Sequence, residues 1–213
     1  MKYEEKIVAF LDILGFQNFV CDASKCEDVH AILKIPYIMR QNDFIKMLKI
    51  KGIMMTSISD SLIFSISVKK RGAMNKLTKL ISGFVQSLLL QYGLLLRGGI
   101  AVGKLYHDGE IVYGPGLVKA YELESKLAIY PRIIMDSSDF EVSILSCTNI
   151  SRSVLREGFI STEDSFLMWD CLRYTEQHQL VLCRSKLEQI KTLEIKAQQK
   201  INWMISIING KLD

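Results

Sequence analysis

Apolar and polar positions along the chain change period several times. Lys6 to Leu14 (KIVAFLDIL) is an almost wholly apolar run whose one acid, Asp12, sits near its end. Such a run predicts a buried central strand, in which the acid is the anomaly. Gly15 breaks it. From Phe16 to about Leu48 apolar residues recur at helical spacing, with an interruption near Pro36, which predicts one or two helices. Ile53 to Ile58 and Leu62 to Val68 are strand-like, and Ser59-Asp60-Ser61 between them predicts a hairpin with an acid at its tip. Gly72 to Tyr92 reads as an amphipathic helix. Leu94 to Val102 reads as a strand interrupted by Gly98-Gly99, and Gly103 to Gly116, with four glycines, as a second hairpin. Leu117 to Leu127 is a short helix and Pro131 to Met135 a further strand. Beyond about residue 150 the pattern weakens until Leu182 to Ile208, which returns to helical spacing and has Gly210 as its stop.

The order strand, helices, strand, strand, helix, strand is the β-α-β-β-α-β plan of a ferredoxin-like sheet with helices on one face, an α+β fold. Residues 1–140 supply that core. Residues 141–213 are expected to form a C-terminal helical extension packed on the core or on a partner.

Composition narrows the function. With 49% hydrophobic residues among 213 there is ample material for one core. The net charge of +4 suits a polyanionic small molecule. It does not suggest nucleic acid, because Lys69-Lys70-Arg71 is the only run of three basic residues, placed where a solvated turn is expected. Five cysteines without C-x-x-C spacing argue against a zinc knuckle or a secreted disulfide framework. The charged Met1 to Lys6 segment is unlike a signal peptide, and no apolar stretch approaches the ~20 residues needed to cross a bilayer. A cytoplasmic protein that binds no membrane is expected.

Three residues carry the candidate chemistry. Asp12 and Asp60 each lie at the end of an apolar strand, where an ionised carboxylate is costly unless paired or bound to a cation. In this topology the first strand lies beside the hairpin, so the two acids converge into a Mg²⁺ or Mn²⁺ site. The alternative is that Asp12 caps the next helix and Asp60 merely makes a turn. Arg97, in a leucine-rich strand, presents a planar fork suited to phosphate oxygens. It would otherwise serve a structural ion pair. Gly98 and Gly99 admit a close backbone or ligand. Lys104 and His107 follow, and His107 fits a solvated hairpin position better than a catalytic base.

FLDILGF (Phe10 to Phe16) resembles the first metal motif of class III nucleotidyl cyclases, F-x-D-I-x-G-F. SISDSLIFS (Ser57 to Ser65) resembles their second metal hairpin, with Ser59 in place of the usual glycine. LRGGIAVG (Leu96 to Gly103) is similar to the R-x-G-I-x-x-G strand. VYGPGLVKAYELES (Val112 to Ser125) resembles the segment ending in R-L-E-S that closes the site from the other protomer. The resemblance implies a homodimer with sites at its interface and a nucleoside triphosphate substrate. Two divalent ions, Mn²⁺ or Mg²⁺, would be held by Asp12, Asp60 and the Ile13 carbonyl. Asp12, Asp60 and Arg97 are the expected catalytic residues. Phe16, Met54, Lys104 and Lys119 join Arg97 as expected substrate contacts.

The departures matter equally. Met54 stands where purine cyclases place a lysine and Ile111 where they place an aspartate, and those two residues read the adenine edge. The usual transition-state Asn and Arg fall on Val118 and Glu122, so another cation is needed, with Lys104 or Lys119 as candidates. With AYELES followed by YPRI (Tyr130 to Ile133) and a late KINWM stretch (Lys200 to Met204), the pattern is similar to the compact pyrimidine cyclases of the bacterial Pycsar anti-phage systems. That resemblance implies a uridylate or cytidylate cyclase whose product a separate effector protein reads. Ile50, Met54 and Met55 would then narrow the base pocket, or else be ordinary core. The rivals are a purine cyclase, a catalytically silent cyclase-homology module, and a palm-type polymerase or nuclease.

Overall fold

The computed structural model describes residues 2–41, 52–190, 192 and 194–213. Strand β1 (Glu4–Leu14) is central. It pairs antiparallel with β3 (Ser61–Ser67) on one side and β4 (Leu95–His107) on the other, and β2 (Met54–Ile58) pairs antiparallel with β3. The order β2-β3-β1-β4 is that of a ferredoxin-like sheet. Strand β5 (Val112–Tyr113) folds back on the end of β4 as the second hairpin.

Alternation along β1 divides its residues between two faces. Ile7, Ala9, Leu11 and Ile13 point into the main core with Leu62, Phe64, Ile66, Leu96 and Ile100. Helix α3 (Ala73–Tyr92) covers them with Met74, Leu77, Leu80, Ile81, Phe84 and Leu88; α1 (Phe16–Val20) and α2 (Cys26–Gln41) precede it, and Ile32 of α2 is buried in the same core. Each such fully buried side chain contributes about 1.5–3 kcal/mol. The break expected at Pro36 is absent, since α2 runs through it. The interruption comes earlier, at a short 3₁₀ turn where the Asp22 carboxylate accepts a hydrogen bond from the Ser24 N–H. The Gly98-Gly99 pair does not interrupt β4 either; the strand continues for 13 residues.

The second face of the sheet is also covered, contrary to the expectation of helices on one face only. Helix α4 (Pro115–Glu122), continued by a π-turn over Leu123–Leu127, packs Ala120 and Leu123 against Val8, Ile63 and Ala101. Glycines make this approach possible. A Cβ on Gly99 would strike the Ala120 carbonyl and sit 2.5 Å from Leu123 Cβ, and one on Gly103 would sit 2.9 Å from Gly116 Cα. The pair thus admits backbone and not ligand.

The C-terminal third continues the sheet. Strand β6 (Ile133–Met135) runs parallel to β4, and α5 (Ser137–Ser143) and α6 (Asn149–Gly158) follow. Strands β7 (Phe159–Ser161) and β8 (Leu167–Trp169) then pair beside β6, so the sheet crosses the boundary expected at residue 140. The single helix expected over Leu182 to Ile208 is two, α7 (Gln177–Glu188) and α8 (Ile195–Leu212). Both bury apolar stripes against Leu89 and Leu95.

Gly99→Ala is expected to cost about 3 kcal/mol, because backbone and not a flexible side chain blocks the new methyl. Gly210→Ala, which meets nothing within 4 Å inside α8, is expected to gain about 0.5 kcal/mol. Urea denaturation midpoints of the two variants check both.

Candidate active site

The same alternation that buries Leu11 and Ile13 turns Asp12 to the second face. There it lies between Ser61 of β3 and Arg97 of β4. Gly15, at φ 77°, ends the strand directly after it. Asp60 occupies the β2–β3 turn, and its backbone carbonyl accepts a hydrogen bond of 3.2 Å from the Ile13 N–H. This bond stitches the hairpin tip to the end of β1. Ser59, before it, has φ 55°, a left-handed conformation that costs an L-residue roughly 1 kcal/mol and accounts for glycine as the usual occupant.

Arg97 Nε donates to Asp12 Oδ2 at 3.2 Å and lies 2.6 Å from Glu124 Oε1. Glu124, on the π-turn, is only 3% exposed, and its Oε1 lacks a well-aligned hydrogen bond despite the ion pair. Its carboxyl is pushed up to about 7, first by burial, with Arg97 opposing and the charges of Asp12 and Asp60 adding to the rise. Burial also raises the Asp12 carboxyl; Arg97 pulls it down and Asp60 pushes it up. Lys200 of α8 acts on both carboxyls in the lowering direction. Thus Asp12, Asp60, Arg97, Glu124 and Lys200 share one electrostatic site.

Sequence reasoning passed over Glu124 and Lys200. A usable signal for Glu124 was its spacing: Ala120, Leu123, Glu124, Leu127 and Ala128 form one helical stripe, and the acid lies within it. Lys200 carried none, because its place depends on how α8 docks.

The other expected contacts are placed elsewhere. Phe16 is buried in the main core, as is Met55. Lys104 is exposed and, at an even position of β4, points to the face opposite Arg97. Lys119 is held by Asp136 at 2.7 Å and Asp139 at 3.0 Å. Burial disfavours its charge, but the two hydrogen-bonded acids outweigh that and raise its pKa. Glu122 is exposed and pairs with Lys126, and Val118 is 58% exposed. Met54 is half-buried on the face of Asp12. Ile50 lies outside the described residues. His107 is not a solvated hairpin residue. It is 6% exposed, bonded through Nε2 to Thr56 Oγ1 at 2.9 Å and through Nδ1 to Ser65 Oγ at 2.8 Å. The Thr56 hydroxyl donates to the Gly109 carbonyl, so the Nε2–H donates to Thr56. The ring clamps β2 and β3 to the end of β4.

No family model and no curated protein matches the sequence. Solved structures do match the fold. The adenylyl cyclase CyaB from P. aeruginosa aligns with a TM-score of 0.53 at 15% identity, over 79% of this chain and 95% of its own. The dimeric guanylyl cyclase domain of the RhoGC fusion protein from the aquatic fungus Blastocladiella emersonii aligns at 0.52 and 14%, over 79% and 94%. A bacterial light-regulated adenylyl cyclase aligns at 0.51 and 12%, over 87% and all of its chain. The chain has a nucleotidyl cyclase fold.

A cyclase-type fold implies a divalent ion, and the donors here suit one. Asp12 and Asp60 offer carboxylate oxygens whose mutual repulsion a cation would relieve. Among the described residues no three His, Cys, Asp or Glu side chains are grouped so as to enclose a metal. The fit is therefore to a magnesium-like ion that takes one or two carboxylates and completes its shell with phosphate and water.

The raised Glu124 carboxyl gives a pH prediction for metal-free protein. A carboxyl near 7 when folded and near 4.5 when unfolded contributes stability that is complete at acid pH and is lost as pH rises through about 7. Thermal melting is therefore expected to fall from about pH 5 to about pH 8 in the wild type, and to be flatter over that window in Glu124→Gln. Equal slopes in the two proteins would show that Glu124 does not titrate there.

Proposed function

We propose that the chain is a divalent-metal-dependent nucleotidyl cyclase. The observation that carries the reading is the convergence of Asp12 and Asp60 at adjacent strand ends within a cyclase fold. The substrate is a nucleoside triphosphate, whose 3′-hydroxyl attacks its own α-phosphorus in line, expelling pyrophosphate. Asp12 and Asp60, with the Ile13 carbonyl as a further donor, hold the metal. The ions, Mn²⁺ or Mg²⁺, supply charge neutralisation and acidification of the attacking hydroxyl when bound.

Arg97 does two things. Its Nε–H fixes the Asp12 carboxylate, while its terminal nitrogens, which make no hydrogen bond among the described residues, are left to bind phosphate oxygens of the substrate. Closure of the sheet's second face by α4 limits water around these groups and strengthens their interactions.

UTP or CTP is the favoured substrate. The resemblance to the pyrimidine cyclases supports this, as do two residues that lack any group for an adenine edge: Met54 on the face of Asp12, and Ile111, exposed at the second hairpin. The product would then be a cyclic pyrimidine monophosphate read by a separate effector in anti-phage defence. A homodimer fits the exposed apolar residues Ile58, Val118 and Tyr121 around the site. No helix among the described residues is long and apolar enough to cross a membrane, which accords with a cytoplasmic enzyme. A second reading, a silent cyclase-homology module, draws on Val118 and Glu122 in place of the transition-state pair.

Product analysis separates these. Wild type with Mn²⁺ and each of ATP, GTP, CTP and UTP is expected to form cyclic UMP or cyclic CMP. Asp12→Ala and Asp60→Ala are expected to form none while melting cooperatively, and Arg97→Ala to lose about 10²–10³-fold in rate. Cyclic AMP or GMP as the main product sinks the pyrimidine assignment, and no product from any triphosphate favours the silent module.

A further inference from the structure

The C-terminal helix α8 brings a cation to the candidate site that no sequence motif assigns. Lys200 is half-buried on α8, and among the described residues it makes no ion pair and no hydrogen bond. It lines a groove of about 600 Å³ together with Leu14 and Gly15, the residues that directly follow Asp12 and Ile13 on β1. Grooves of this size accommodate small ligands. Gly15 adds no side chain to fill the space. Lys25, on the same groove, is paired with Asp22. Glu194, the acid on its rim, is solvent-exposed. The groove opens directly beside the strand end that carries Asp12.

We propose that Lys200 binds the phosphate chain of the substrate in the groove between the β1–α1 turn and α8, and supplies from within the same chain the cation missing at Glu122. The proposal rests on the nucleotidyl cyclase reading for its choice of ligand. The two sequence candidates for that cation are disposed otherwise, Lys104 by facing the opposite side of the sheet and Lys119 by its pairing with Asp136 and Asp139. A lysine serves here as a compact point charge on a flexible stem. It can follow a polyphosphate without the fixed fork of an arginine. Helix α8 is itself well anchored. Ile201, Met204 and Ile208 are buried, Trp203 stacks on Tyr130 with ring centroids 5.5 Å apart, and Lys211 pairs with Asp170 at 2.5 Å. The position of Lys200 is therefore set by packing around it and not by its own contacts.

The test is calorimetric titration of the full chain with inorganic tripolyphosphate in the presence of Mg²⁺. Lys200→Ala is expected to weaken binding at least ~10-fold, the loss of one charge-assisted contact to phosphate. Lys200→Arg, which keeps the charge, should bind within about threefold of wild type, and Lys196→Ala, exposed one turn earlier on α8, should bind as wild type does. Cooperative melting of each variant at the wild-type temperature excludes unfolding. Equal affinity of Lys200→Ala and wild type, equal weakening by Lys196→Ala, or no binding of tripolyphosphate by the wild type overturns the proposal. Binding that depends on Lys200, in a protein that forms no cyclic product from any triphosphate, would uphold the phosphate site and remove the cyclase reading alone.

Discussion

Burial of Asp12 at the end of the central strand sets the terms for everything around it. The strand has core on both faces, so its acid is largely withdrawn from bulk water, and its charge is met locally. Arg97 meets it from the neighbouring strand, in register by the β1–β4 pairing. The same arginine is also claimed by Glu124, and Asp60 lies close enough to repel both acids. Three carboxylates against Arg97 and Lys200 leave the site short of positive charge. A proton on Glu124 or a divalent cation between the aspartates relieves that shortage, and the two remedies act at different pH. An unliganded site is thus biased toward protonation, and a liganded one toward full ionisation.

Close backbone packing makes this geometry attainable. Glu124 reaches Arg97 only because α4 and its π-turn rest directly on β4 at Gly99 and on Gly103 through Gly116. With side chains at those positions the helix would stand further from the sheet, and the carboxylate would be solvated. The π-turn adds a residue to the last helical turn, a distortion often found where a helix presents a functional group. Gly98 serves the other face, where a Cβ would meet Leu11 and the Phe10 carbonyl. The glycine pair in the middle of β4 is therefore a packing device on both sides of the sheet.

The strands and their acids were legible because their signals are local. A short, almost wholly apolar run, a Ser-Asp-Ser turn and an arginine among leucines each announce themselves within a few residues, and β1, the β2–β3 hairpin and β4 follow from them. Features set by docking were not legible. His107 is polar and sits near glycines, which suggests solvent; Thr56 and Ser65, 51 and 42 residues away, give it partners and bury it. Strands β7 and β8 have only three residues each, too few for a periodic signal, and they exist because β6 offers an edge. The halt between α7 and α8 lacks the glycine or proline that would mark it. Pro36 failed in the opposite sense, since a helix carried by its apolar face tolerates one lost hydrogen bond.

These misses share a consequence for the C-terminal third. Taken as an appendage, residues 141–213 have no part in the chemistry. Taken as they pack, they finish the sheet and place Lys200 on the groove at the end of β1. The helix that carries it is fixed from three directions: the apolar stripe on α3 and β4, the ring stack with Tyr130, and the ion pair of Lys211 with Asp170. A mobile lysine on a tail would lose its entropy on each encounter with a polyanion. One on a helix anchored in this way has lost part of it already, and an interaction with a polyanion would keep more of its strength. The distant segment would then preorganise charge beside Asp12 and Asp60, the candidate metal ligands, which lie far from it in the sequence.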